Sequence, residues 1–227
     1  MLTLKDIASA HERICSFIHR TPVLTNNSLN ELTGANLFFK CENFQKAGSF
    51  KIRGATNTVE LLSQDEMDKG VATTSSGNHG AALSMAVTRR GGKTKVVMPH
   101  NTPKIKVNNV ERNGGKVVWC EPDQSSREQV LADLVNETGA TVVHPYNDER
   151  IIAGAKIVIP ADKLLCIKNK RAVNVLVFKS NLVFLITTSS RNFKNCSINS
   201  FRLHVLGLLS TIANVLKPKE LSIDVYL

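Results

Sequence analysis

Between residues 37 and 145, short apolar runs alternate with amphipathic segments about every 25 residues, each closed by glycine or proline. This rhythm predicts strands over 37–41, 71–75, 95–98, 116–120 and 141–144. It predicts helices over 28–33, 49–62, 78–90, 103–112 and 125–138, after an amphipathic N-terminal helix over 3–18. Gly34, Gly91-Gly92, Gly114-Gly115 and Gly139 stand where helices stop, and Pro103 where one starts. Strand–helix alternation of this kind builds βαβ units, hence an α/β fold with parallel strands and helices on both sheet faces. Right-handed crossovers then bring the loops after the strands to one sheet edge, where such folds bind ligands.

After Lys156 the rhythm stops. Residues 173–178 and 182–187 read as strands and 206–216 as a helix, but the punctuation is gone: 12 of the 13 glycines lie in residues 1–157. Charge is as uneven. The chain carries +10, of which +3 belongs to residues 1–157 and +7 to residues 158–227. The basic residues of the tail are scattered, with no cluster and no interleaved aromatics, so no nucleic-acid partner is expected. No apolar run approaches the roughly 18 residues of a membrane span, so no membrane partner is expected either. Five cysteines, widely spaced and with no Cys-x-x-Cys, predict reduced thiols and neither disulfides nor a metal site. With no basic-then-apolar leader, the expected location is the cytoplasm.

Two motifs carry chemistry. Ser49-Phe50-Lys51-Ile52-Arg53-Gly54 opens a helix; alone, Lys51 reads as a solvated helix lysine. Ser75-Ser76-Gly77-Asn78-His79-Gly80 follows a strand and opens the next helix, where free N–H groups and the helix dipole favour an anion. It is neither a dinucleotide fingerprint nor a Walker loop. His11, His19 and His100 read as surface or loop residues, and Trp119 as core.

Together, with 26 residues from Ser49 to Ser75, the motifs resemble the fold-type II pyridoxal-phosphate enzymes, whose fold is tryptophan synthase β-like. The resemblance is nearest to the serine racemase and threonine/serine dehydratase family. It extends to Thr21-Pro22-Val23-Leu24, the run Phe39 to Lys46, His144-Pro145 and Ile152-Ala153-Gly154, about residues 1–157 in all. It implies pyridoxal 5'-phosphate as cofactor and serine or threonine as substrate, dehydrated and deaminated or racemised through a Lys51 aldimine and a Cα carbanion. Lys51 would be the base on one face of Cα and Ser76 the acid–base group on the other. Ser75, Ser76, Gly77, Asn78 and His79 would grip the substrate carboxylate, with Arg127 near the mouth. Asn78 would also meet the cofactor phenolic oxygen, with Phe50 and Tyr146 beside the ring; Phe50 and Tyr146 read equally well as core packing, and Arg127 as a surface arginine.

The family organisation implies an N-terminal segment, 1–53, belonging to a larger cofactor domain, a small αβ domain at 54–145, and a remainder at 146–227. That larger domain is incomplete here. Where the family continues Ile-Ala-Gly with Gln-Gly-Thr and later a glycine run around the phosphate, this chain reads Gly154-Ala155-Lys156-Ile157 and has no further Gly-Gly pair. Gly207 to Pro218 and Ile223 to Tyr226 resemble the family again, so residues 158–206 read as foreign sequence between two family segments. A phosphate without backbone donors loses charge-assisted hydrogen bonds of about 1.5–3 kcal/mol each. The alternative function is therefore an inactive truncated form, free or paired with a full-length subunit. Family members pair as homodimers, which this chain is not bound to do. Of the positions matching the racemases' nucleotide effector site (Asn26, Asn27, Lys46, Ala47, Ala81, Asn113), only Lys46 agrees, which favours the dehydratases.

Overall fold

The computed structural model describes residues 2–33, 36–158, 172–179, 182–189 and 224–225. The Gly34 cap, the helix expected over 206–216 and most of 158–206 lie outside the described residues. The chain divides into two units, residues 1–20 with 42–161, and residues 21–41 with 162–227.

The first unit contains α1 (Leu4–Ile14), α3 (Lys51–Glu60), α4 (Gln64–Lys69), β3 (Val71–Thr74), α5 (Asn78–Arg89), β4 (Thr94–Pro99), α6 (Lys104–Arg112), β5 (Gly115–Cys120), α7 (Gln124–Thr138), β6 (Thr141–Val142) and α8 (Glu149–Ala155). Its sheet has the order β5-β4-β3-β6 and is parallel throughout, as the alternation predicts. The N-terminal helix is shorter than expected. Thr3 and Asp6 close a capping box at its start, but the chain leaves the helix at Cys15. The Phe17 ring beyond that exit lies under the Arg89 guanidinium, 3.8 Å from the ring centroid. Helix α4 was legible: Ser63 and Glu66 form a capping box, the Ser-x-x-Glu signature of a helix start.

Helix α3 is the central element. Ile52 to Val59 are all buried, and α3 packs against α1, α5 and α8. Ile52, Ala55 and Val59 join Leu83, Val87, Val143 and Ile151 in one apolar cluster. Its crossing with α8 is so close that a Cβ on Gly154 would lie 2.6 Å from the Arg53 carbonyl oxygen and 2.8 Å from Gly54 Cα. Trp119, expected in the core, is instead 43% exposed. It lies on β5, the edge strand, and its ring stacks on that of His100 at 5.4 Å.

The second unit contains β1 (Val23–Leu24), α2 (Asn27–Thr33), β2 (Asn36–Lys40), β7 (Ala172–Lys179), β8 (Leu182–Ser189) and β9 (Asp224–Val225). Its sheet, β1-β2-β8-β7-β9, is antiparallel at every pairing. Both strands expected between 173 and 187 are present, β2 pairing with β8 from Asn36↔Thr187 to Lys40↔Val183.

Candidate functional site

Both motifs belong to the first unit. Lys51 is the first residue of α3, preceded by a turn in which Ala47 (φ 60°) and Gly48 (φ 69°) are both left-handed. Its side chain is half-buried, and Nζ donates to the Pro145 carbonyl at 3.1 Å and stands 5.3 Å from the Phe50 ring centroid. Burial lowers its pKa from the usual lysine value, because desolvation disfavours the ammonium. The solvated lysine that Lys51 suggests in isolation is therefore not what the fold makes of it. Phe50 is half-buried beside it, as a ring packed on the amine.

The second motif caps α5. Ser75 Oγ accepts from the N–H groups of Gly77 (3.2 Å) and Gly80 (2.9 Å), so this serine shapes the bend. Gly80 is required by space: a Cβ there would lie 2.8 Å from Val96 Cγ1 on β4. Ser76 and Asn78 are exposed on the loop, and Gly77 lies between them. His79 is buried, and neither ring nitrogen makes a well-formed hydrogen bond, the Val143 carbonyl being the group it leans on. Burial, then the Lys51 ammonium, push its pKa down to about 4, so its imidazole is neutral at physiological pH. The coupling means that the amine and the loop share one electrostatic neighbourhood. Ser49 is also fully buried, with its hydroxyl unpartnered.

The remaining expected residues are more scattered. Tyr146 is 70% exposed, edge-on to the His144 ring at 4.4 Å, so its reading as core packing is wrong: Asn147 N–H donates to His144 Nδ1 and turns the chain outward. Arg127 stands beside the Cys120 thiol after β5, and β4 separates that strand from β3. One residue was missed. Lys106 on α6 passes Gly77, its Nζ 4.0 Å from where a Cβ would be, a cation next to the strand-to-helix bend. It also lines a groove of about 680 Å³ with Ala47, Gly48, Asn78 and Arg112. Only the tertiary fold brings α6 back onto this loop. Among the described residues no cluster of histidine, cysteine or carboxylate side chains could hold a metal.

The sequence model of pyridoxal-phosphate dependent enzymes matches residues 14–160. The chain belongs to this family. A beta-hydroxyaspartate dehydratase of Paracoccus denitrificans is 55% identical over 152 residues, covering 67% of this chain and 48% of the relative. A serine racemase of Arabidopsis thaliana is 54% identical over 149 residues, 66% of this chain and 45% of the relative. Among solved structures, maize serine racemase superposes with a TM-score of 0.69 at 42% identity, covering 74% of this chain and 50% of that one. The threonine deaminase of T.th. gives 0.65 at 36% identity, covering 73% and 53%. The chain thus spans about half the length of the relatives it matches, and its fold is that of the fold-type II enzymes.

Pyridoxal phosphate is the family's cofactor, and the described residues fit its aldehyde end: a desolvated amine, a ring beside it, and unpartnered polar atoms on both motifs. For its phosphate end, the sequence offers no Gly-Gly pair beyond Gly115.

Proposed function

We propose that this chain carries the amine-bearing half of a site for dehydration and deamination, or racemisation, of a small hydroxy amino acid such as L-serine or L-threonine. The observation that carries this is the half-buried Lys51 amine, electrostatically coupled to His79 of the Ser75–Gly80 loop. The relatives support the substrate class, since their names pair serine, threonine and β-hydroxyaspartate with dehydratase, deaminase and racemase activities.

Pyridoxal phosphate, when bound, supplies an electron sink for the pair left at Cα once its proton is removed. The other steps belong to side chains of this chain. The loop N–H groups not taken up by Ser75 Oγ, with the Lys106 ammonium at their side, bind the substrate carboxylate. Lys51, neutral more often than an ordinary lysine, removes the Cα proton. The Ser76 hydroxyl returns a proton on the opposite face in racemisation. In dehydration the β-hydroxyl leaves with a proton as water. Asn78, Phe50 and Tyr146 would hold the ring of the cofactor, and Arg127 would stand toward the outer end of the site. Residues 54–145 act as the small domain, 1–53 as part of the larger one and 146–227 as its incomplete remainder, in a cytoplasmic protein.

Incubation with pyridoxal phosphate, borohydride reduction and peptide mapping tests this. The expected result is a pyridoxyl group on Lys51; no adduct there at saturating cofactor would refute it. With serine as substrate, Ser76→Ala is expected to abolish D-serine formation while keeping pyruvate and ammonia. An adduct without turnover would favour the alternative, a truncated form that acts by pairing with a full-length subunit.

A further inference from the structure

Two residues beyond Lys51, Arg53 is almost completely buried, and it meets a carboxylate that is fully buried. Arg53 Nε donates to Glu42 Oε2 and Nη2 to Glu42 Oε1, both at 2.8 Å, with side chains 4% and 0% exposed. The same Nη2 leans on the His19 carbonyl at 3.5 Å. Gln45 ties the strands of this knot together. Its Oε1 accepts from His19 N–H and Lys46 N–H, both at 2.8 Å, and its Nε2 donates to the His19 carbonyl at 2.7 Å.

A buried ion pair adds little stability over apolar side chains of the same volume. What a bidentate arginine–carboxylate pair adds is direction, since the planar fork fits in one orientation only. The chain between Glu42 and Arg53 needs that direction. It contains two consecutive left-handed residues, and no side chain caps the start of α3. Nothing local therefore fixes how the first turn of α3 is rotated about its axis. At about 100° per residue, Lys51 and Arg53 project from nearly opposite sides of the helix. Anchoring Arg53 on one side aims the amine on the other.

We propose that Glu42 and Arg53 are positioning residues for Lys51, holding its amine in the half-buried setting against Pro145. This rests on the role of Lys51 given above. The titratable group facing the amine is His79 from α5, which in turn feels His144 and Asp148. Arg53 and Lys51 share the first turn of α3, so a change made at the buried pair reaches the amine through that turn.

The test uses the full chain and pyridoxal, which lacks the phosphate, with cyanoborohydride; modification of Lys51 is followed against pH by mass spectrometry. In the unaltered chain Lys51 should be labelled with a midpoint below that of the other lysines. In Glu42→Met/Arg53→Met, which removes both charges together, the melting temperature should stay within a few degrees. The Lys51 midpoint should rise toward that of the other lysines, leaving less free amine near neutrality. Arg53→Lys, which keeps the charge and loses the fork, should shift it part of the way. A folded double variant that labels like the unaltered chain overturns the proposal. Should the double variant not fold, Arg53→Lys decides alone: an unshifted midpoint, or failure to fold there too, assigns the pair a purely structural role. If Lys51 is not preferentially labelled even in the unaltered chain, the functional reading fails first, an outcome distinct from these.

Discussion

Alanine at Gly154 sets two effects of opposite sign against each other. As a helix residue alanine is better than glycine by about 1 kcal/mol. The structure leaves it no room: the new Cβ would lie 2.6 Å from the Arg53 carbonyl oxygen, 2.7 Å from Asn57 Cβ and 2.8 Å from Gly54 Cα. Ordinary contact begins near 3.4 Å, so α3 and α8 must part by about 0.8 Å. The contacts are mostly backbone, which does not swing aside, and overpacking of this kind costs about 1–3 kcal/mol. The net expectation is a loss of up to about 2 kcal/mol, a melting temperature lower by up to about 8 °C. Circular dichroism melts with a parallel urea titration measure both the midpoint and the slope. The displacement also reaches the site, because Pro145 lies just before α8 and its carbonyl holds Lys51 Nζ at 3.1 Å. Gly154→Ala melting at or above the unaltered temperature would mean that helix propensity prevails and that the crossing has slack, and the reasoning would fail.

Two further outcomes are expected. The pKa of His79 falls from 6.5 to about 4 on folding, so below pH 6.5 the unfolded chain binds the extra proton and stability declines as pH drops toward 4. The loss is on the order of 3 kcal/mol, and urea midpoints between pH 7 and pH 4 should show a gentler fall in His79→Gln; equal slopes would contradict it. Ala47, left-handed at φ 60°, should be better served by glycine, Ala47→Gly stabilising the chain by about 0.5–1 kcal/mol in the same titrations.

The sequence reading was most successful where local chemistry dictates structure. Glycine and proline punctuation located the parallel strands, and Ser75 to Gly80 stood out through its family resemblance, with Ser75 and Gly80 the two positions that the bend itself requires. The Ser63–Glu66 capping box is equally local, a Ser-x-x-Glu signature that marks the start of α4. Other features depend on partners far along the chain. Lys51 is like any helix lysine until α3 is enclosed and the Pro145 carbonyl, 94 residues on, is brought to its amine. Trp119 looked like core because it is large and apolar, yet whether a strand is central or at the edge is decided by the order of the whole sheet. Lys106 belongs to an ordinary polar helix, and its approach to Gly77 is a consequence of how α6 packs.

The depth of α3 also has a kinetic side. A helix in which eight successive residues are covered exchanges its amide protons only when most of the unit has come apart, whereas frayed ends and surface turns exchange through small local openings. The candidate amine is attached to the residue that opens that helix, just outside the covered run, so its stem is anchored next to the slowly exchanging part while its carbonyl partner, Pro145, lies in a loop. A cut in the loop between β6 and α8 would release that carbonyl while the helix that carries the amine stays in place.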